Sequence, residues 1–522
     1  MTMPSDLRAA ERFRGVIARS MGLHFDETKF AFLSEQLKGR LEVTRQSSEA
    51  YLEQLEIDAP KEELRALAQT LTVAETYFFR NSNQFQVLRE LALPERLQRQ
   101  ISSAKRLRIL SAGCASGEEA YSIAIAARET LGEFAQNVSI RAVDLNPAVL
   151  DRAIRARYNS WALRETPPEV RDKWFRPDGQ GLVVLDPLIR SAVNFEEGNL
   201  MDGAAQLWRS GAYDIIFCRN VLMYFAPDGM RAVVERLARA LAPGGYLFLG
   251  HAETLRGISQ DFHLRHSHDT FYYRLKEASE RADSHSHQSL VALGMHSANP
   301  NGRAQEGANA AAMDAALAAF VQGKDTWADV IHKASERIRA LAPGPLRPAE
   351  ATLRSTGNLA LALDLLQSER YVEALTMVQA LPADSKRDPD VRLLHAVLLT
   401  HSLELGQAEK LCQELLADDE LNAGAHYLLA LCRERAGDGR GATEHDQYAV
   451  YLDPAFAMPR LHLGLLARRN HDPELARREL AQALVLLQRE DASRLLLFGG
   501  GFNRDTLLAL CRAELQSCGG QP

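Results

Sequence analysis

Two stretches of this 522-residue chain hold residues able to cradle a ligand and do chemistry on it: LRILSAGCASGEEAYSIAIAA from Leu107 to Ala127, and RNVLMYF from Arg219 to Phe225. In the first, Gly113 and Gly117 lie between an apolar run (Leu107, Ile109, Leu110) and a helix-like run (Ile123 to Ala127), which predicts a strand, a tight turn and a helix. Lacking a Cβ, these glycines permit a positive φ and let backbone come close to a ligand. The loop has no Lys-Ser/Thr pair to hold phosphates, and Glu118 and Glu119 stand where a phosphate would meet the helix start. Two carboxylates there repel a pyrophosphate.

Twenty-five residues after Glu119, the predicted strand Val138 to Val143 ends at Asp144, where such folds use an acid to hold ribose hydroxyls. Acids around a phosphate-free nucleoside suit S-adenosylmethionine (SAM), whose sulfonium and ammonium groups both favour negative surroundings. An ordinary βαβ turn with solvated acids remains the alternative on the loop alone. Further strands are expected at Val193 to Phe195, at Tyr213 to Cys218, and at Tyr246 to Gly250 after a Pro243-Gly244-Gly245 turn. In a doubly wound sheet, ligands bind outside the carboxyl ends of the strands, and Asp144, Asn199, Arg219 and Asn220 all stand at such ends. Taken singly, Asn199 and Asn220 also read as turn or cap residues.

Four ordered blocks carry a resemblance: ETYFFR (Glu75 to Arg80), SAGCASGEEAYSIA, CRNVLMYF and LAPGGYLFLGHAET. Residues of about 10 to 275 resemble the chemotaxis receptor glutamate methyltransferases, the CheR family. The resemblance implies a Rossmann-like class I methyltransferase domain that binds SAM and releases S-adenosylhomocysteine. It implies that Thr76 and Arg80 close over the cofactor, that Glu119 lies near its amino-acid portion, and that Asp144 takes the ribose. Asn199 with Leu200, and Arg219 with Asn220, are then strand-end contacts, and Gly113 and Gly117 shape the loop. Arg80 and Tyr224 stand nearest the transferable methyl as the catalytic pair. Some members carry Asn where this chain has Ala74, which removes one cofactor hydrogen bond from the expected set. The implied substrate is the cytoplasmic domain of a chemoreceptor, and the implied location is the cytoplasm.

The chemistry explains the sparse catalytic machinery. A glutamate, with an ordinary pKa of about 4.3, is ionised at neutral pH and needs no general base. Orientation and desolvation should carry the rate, with Arg80 steering the carboxylate through paired donors and Tyr224 donating a hydrogen bond or packing on the methyl. Nucleic-acid methylation is disfavoured. Arg219-Asn220-Val221-Leu222 stands where amino-methylating enzymes carry an Asn/Asp-Pro-Pro-aromatic block, no Pro-Cys nucleophile is present, and the formal net charge of −7 repels phosphate backbones.

Around this domain the sequence predicts further parts. Residues 1–90 read as a small helical bundle, with Phe30, Phe32, Leu33, Leu37 and Leu41 on one face and Lys38, Arg40 and Arg45 forming a modest basic patch on the other. In the family such a patch faces the acidic receptor helices. The methyltransferase domain is expected over 91–275, with an inserted β-subdomain at about 155–193. A linker and connector follow over 276–345, where His285 and His287 lack the partners of a metal site, and no metal site is expected elsewhere.

The C-terminal third repeats. Ala374, Ala408, Ala442 and Ala476 recur every 34 residues, and Ala362, Ala396, Ala430 and Gly464 keep the same period, with Leu359, Leu393, Tyr427 and Leu461 between helices. This predicts a tetratricopeptide solenoid over 346–490 and a capping helix and tail over 491–522, a module for a protein or peptide partner. The six cysteines show no zinc spacing, consistent with reduced thiols in the cytosol, and no run of 18 apolar residues predicts membrane insertion. A catalytically decayed SAM-binding scaffold acting through its repeats is the alternative reading. Intact Arg80, Glu119, Asp144, Asn220 and Tyr224 argue against it.

Overall fold

A computed structural model describes residues 5–72, 75–101, 106–203, 206–277 and 370–519, with 280, 361–362 and 365–366 besides. Ala74, Leu359, His285, His287 and most of the expected 276–345 connector lie outside the described residues. The chain divides into two compact units, one within 1–288 and one within 289–522.

Among the described residues the first unit has ten strands: β1 (Leu107–Ala112), β2 (Val138–Asp144), β3 (Arg157–Tyr158), β4 (Phe175–Pro177), β5 (Val183–Leu185), β6 (Val193–Glu197), β7 (Tyr213–Cys218), β8 (Leu241–Leu249), β9 (Phe262–Ser267) and β10 (Thr270–Leu275). Seven of them form a sheet ordered β6-β2-β1-β7-β8-β10-β9, parallel from β6 to β8, with β10 antiparallel to both β8 and β9. From β1 the chain winds outward to β2 and β6, then returns to β7 on the other side. The crevice above β1 and β7 is therefore the topological switch point, where such sheets bind ligands. Helix Leu93–Ile101 precedes β1 in the chain and helix Glu118–Leu131 follows it. Ile109, Ile215, Phe217 and Phe248 pack with Phe85, Leu88, Tyr121 and Ile123 in one core. Phe217 stacks between Phe85 (5.8 Å) and Phe248 (4.4 Å), offset aromatic contacts that add to their burial.

The sheet bears out the expected class with one difference. β8 begins at Leu241, not Tyr246, and runs through Pro243-Gly244-Gly245. Tyr213 pairs with Leu241 but Ile215 pairs with Tyr246, so the extra residues bulge from the strand at Gly244, whose φ is 63°. The pattern break after residue 151 is a small antiparallel sheet of order β3-β5-β4.

Helices Ser5–Met21, Phe30–Thr44, Ser48–Asp58 and Lys61–Leu71 bundle around Phe13, Ile17, Leu33, Leu37, Tyr51 and Leu67. Asn146 ties this bundle to the sheet. Its Nδ2 donates to Ala68 C=O (3.3 Å) and Thr72 Oγ1 (2.9 Å), while its Oδ1 caps helix Pro147–Arg155. The expected basic patch is smaller than its sequence. Arg40 bonds both oxygens of Glu63 (2.8 and 2.6 Å), which also accepts from the Tyr51 hydroxyl, so only Lys38 and Arg45 of the three stay exposed.

Among its described residues the second unit is all helical. Helices Tyr371–Gln379, Leu405–Asp418, Gly439–Leu452 and Pro473–Leu487 alternate with Pro389–His401, Ala423–Arg435 and Ala457–Arg469 through short turns, so neighbours run antiparallel. The 34-residue phase is a packing requirement. Ala374, Ala408, Ala442, Ala476, Ala396 and Ala430 are all fully buried, and a Cβ on Gly464 would stand 2.6 Å from Leu480 Cγ. After Ala492–Phe498 comes helix Arg504–Ser517, whose N-terminus the Asn503 side chain caps. Among the described residues, no helix is long and apolar enough to cross a membrane.

Candidate functional site

At the switch point lies a cavity of about 680 Å³, lined by six of the residues singled out from sequence: Gly113, Asp144, Asn199, Leu200, Asn220 and Tyr224. Thr76, Arg80, Gly117, Glu119 and Arg219 do not line it. Several of these form a second cluster, joined to the cavity through the loops after β1 and β7.

The glycines do different work from one another. Gly113 (φ 76°) follows β1, and a Cβ there would lie 2.4 Å from Val221 Cγ2, so its bareness lets the RNVLMYF loop close over the turn. Gly117 (φ 92°) faces protein: a Cβ would meet Ala153 at 2.8 Å and Phe195 at 3.1 Å.

Asp144 ends β2, and its two oxygens accept from Ala115 N (2.8 Å) and Asn146 N (2.9 Å). Burial raises its pKa, and these backbone donors pull it back. Its carboxylate lines the cavity, where it can accept from the vicinal hydroxyls of a ribose. If both bond, Asp144→Ala should weaken SAM by about 100-fold, the loss of two charge-assisted hydrogen bonds. Titration calorimetry reading an unchanged affinity would remove the ribose role.

The second cluster is a buried brace. Glu119 opens helix Glu118–Leu131, accepting from Ser111 Oγ (2.7 Å) and pairing with Arg219 Nη1 (3.3 Å). Burial raises its pKa, while Arg219, Ser111 and the nearby charge of Arg80 act against that. Arg219 Nη2 donates to Arg80 C=O (2.5 Å) and Asn81 Oδ1 (2.8 Å). Phe79 (φ 57°) and Asn81 (φ 62°), on either side of Arg80, both hold a left-handed backbone. Such strain persists where its surroundings over-determine it, and here Arg219 and the Ser122 hydroxyl, which accepts from Phe79 N (3.0 Å), do so. Thus the Arg219 guanidinium grips protein and fixes the backbone from which Arg80 projects. Arg80 itself is half-buried, with Nη1 donating to Glu75 C=O (3.2 Å). Phe78 and Phe79 are buried core aromatics, whereas Tyr77 is half-buried, with the Arg164 guanidinium carbon 3.6 Å from its ring centre.

Asn199, rather than facing the cavity freely, donates to Ser20 C=O (3.1 Å) and accepts from Met201 N (2.9 Å), fastening the first helix of the bundle. His24 N donates to Tyr224 C=O (2.7 Å), and Leu23 bridges Phe225, so the segment after that helix holds the Tyr224 loop. Met21, His24 and Phe25 also line the cavity, a wall that sequence reading did not anticipate. Sequence reading did not single out Glu253 either, which stands behind the cavity's loop rather than in its lining. One of its oxygens accepts from Asn220 N and Gly250 N (both 2.7 Å), the other from Val221 N and Leu222 N (both 2.8 Å). One buried carboxylate therefore sets the loop bearing Asn220 (φ 57°) and Tyr224. In the sequence it is the acid of the LAPGGYLFLGHAET block, just past a buried strand. Glu253→Gln turns an amide N–H₂ toward backbone donors; a cost of about 2 kcal/mol, some 30-fold in kcat/KM, is expected. Unchanged kinetics would show that the loop holds itself.

These residues fit a nucleoside with cationic groups: a buried acid at a strand end, a glycine turn with two carboxylates at its helix start, and no phosphate-binding cation in the turn. The family described as "CheR methyltransferase, SAM binding domain" matches residues 74–271. The chain is 36% identical to Chemotaxis protein methyltransferase 2 of Vibrio cholerae serotype O1 over 268 residues, 50% of this chain and 91% of that protein. It is 34% identical to Chemotaxis protein methyltransferase Cher2 of Pseudomonas putida over 272 residues, 51% of this chain and 97% of that one. With the Chemotaxis protein methyltransferase of Vibrio anguillarum it shares 38% over 220 residues, 41% and 77% of the two chains. Switch-point cavity, strand-end acid and family matches agree: the chain belongs to the CheR methyltransferase family, and it is a SAM-dependent methyltransferase.

Proposed function

We propose that this enzyme methylates glutamate side chains in the cytoplasmic domain of a chemoreceptor, working in the cytoplasm, with its repeats selecting a protein partner. The observation that carries this reading is the strained turn at Phe79–Asn81, which Arg219, at the end of β7, braces and from which the cation Arg80 projects. Bound SAM supplies a methyl group activated by its sulfonium. Toward it, Asp144 would hold the ribose, while Leu200 and Asn199 would wall the adenine side and Thr76 and Glu119 the methionine side. Arg219 would act on the methionine side through Glu119 and the Arg80 turn, and Asn220 through the loop that Glu253 sets. Arg80 would steer the incoming carboxylate into line, and Tyr224 would donate to it or exclude water. No proton needs to move, because the acceptor is ionised already.

We take the domains as 1–90, 91–275 with its insert at about 155–193, 346–490 and 491–522, joined by 276–345. On this division, deleting 346–522 should leave SAM affinity intact. The substrate is tested with receptor cytoplasmic fragments whose candidate glutamates are replaced by alanine. Methyl incorporation should disappear with those glutamates; incorporation that survives all of them would contradict the proposed substrate.

A further inference from the structure

The short helix after the last repeat folds back over the repeats instead of extending them. The Phe498 ring packs edge-on against Tyr427 (6.0 Å) and Phe456 (5.1 Å), and the Tyr427 hydroxyl donates to Phe498 C=O at 3.5 Å. Room for that ring is made at Gly424, where a Cβ would stand 2.9 Å from Phe498 Cζ. One turn earlier, Arg494 pairs with Asp453 (3.1 Å) and lies 5.2 Å over the Phe456 ring. Leu496 and Leu497 pack on the core around Val391, Leu394 and Leu398. Just upstream, Glu490 accepts from Ala457 N (2.7 Å).

Those contacts fall on helices Pro389–His401 and Ala423–Arg435 and, through Asp453, Phe456 and Ala457, on the turn that opens Ala457–Arg469, the first helices of three successive repeats. A stack of such helices makes the extended surface on which repeat proteins bind their ligands. The occupant has the character of a ligand rather than of another repeat. It is seven residues long, too short to be a stable helix by itself, so the groove holds it in shape. It ends in Gly499-Gly500-Gly501, with Gly500 and Gly501 at φ 68° and 81°, a joint about which it can leave. Its contact chemistry is compact: an arginine four residues before a phenylalanine, with leucines between, seated against Asp453, two aromatic rings and a glycine notch.

We propose that Ala492–Phe498 is a resident ligand of the repeat groove, and that the partner of the repeats is a short apolar helix of the same arginine-to-aromatic spacing, which displaces it. This rests on reading the repeats as the partner-binding part. Being tethered, the resident helix competes at an effective concentration on the order of millimolar, so the groove answers only to a partner that outbids it or is itself held close.

The test uses a fluorescent peptide of residues 490–502 and the full chain. Arg494→Ala with Phe498→Ala weakens the resident helix, so this double variant should bind the peptide at least tenfold more tightly than wild type. Adding Asp453→Ala should reverse most of that gain. Equal binding to wild type and double variant, or a gain indifferent to Asp453, overturns the proposal. Wild-type hydrogen exchange guards against a misfolded variant: amides of Ala492–Phe498 should exchange at least tenfold faster than those of Ala423–Arg435, and exchange in step with that helix overturns it too. Methyl transfer measured alongside separates the two readings, since it should persist in the double variant whichever way the peptide experiment falls.

Discussion

Replacing Arg80 by alanine is expected to lower kcat about 100- to 1,000-fold while SAM affinity moves less than tenfold, the loss typical of one preorganised group that acts on the reacting atoms. The expectation follows from how much structure is committed to that position. Arg219, buried beside Glu119, spends two bonds on the Arg80 carbonyl and the Asn81 side chain, and Ser122 takes a third from Phe79 N. Two non-glycine residues are thereby held at positive φ to set one side chain. The acceptor carboxylate requires no base, so direction is what the cation contributes. Single-turnover kinetics at saturating SAM isolates the chemical step; full turnover with weaker binding only would reduce Arg80 to a cofactor contact.

The second large effect is expected in the repeats, from His462→Ala. His462 is fully buried, with Nδ1 2.7 Å from Asp446 and Nε2 3.2 Å from Glu434, which also pairs with Arg469 (2.5 Å). Burial opposes charge on the ring, but the two carboxylates outweigh it and hold its pKa up at about 10. Removing the imidazole strands a buried aspartate, at a cost of about 3–5 kcal/mol. Hydrogen exchange of helices Gly439–Leu452 and Ala457–Arg469 should then quicken more than a hundredfold at neutral pH. The wild type should show the matching pH dependence. A pKa raised in the folded state means that the folded form binds the proton more tightly than the unfolded one. The stabilisation is therefore complete below about pH 6.5 and fades as pH rises toward 10. Equal protection at pH 6.5 and 9.5 would show that the ring is neutral in the fold.

What was legible in the chain divides along physical lines. Strand ends were readable because β2 and β7 run into polar residues, which placed Asp144 and Asn220 at the crevice and Arg219 at a strand end beside it in sequence. The repeat phase was readable because close helix packing tolerates only small residues, as the buried alanines and Gly464 show. Direction was not readable. Arg219 stands at a strand end yet points into a protein brace, and Gly117 makes room for Ala153 and Phe195 rather than for a ligand. Nor were contacts between distant segments: Asn199 meets Ser20, and Glu253 meets the loop at Asn220, through tertiary approach that no local pattern encodes. Arg40 left the basic patch for the same reason, since Glu63 lies on another helix. Asp446 occupies a repeat position buried beside His462, where helical periodicity offers no cue that a charge pair is enclosed.

The proposed glutamyl ester is tested by transferring labelled methyl from SAM to receptor cytoplasmic fragments and then treating the product with base. An ester hydrolyses and releases volatile labelled methanol, so the proposed chemistry predicts that the receptor-bound label becomes volatile. Label that stays on the protein through base, as an N-methyl group does, would contradict it.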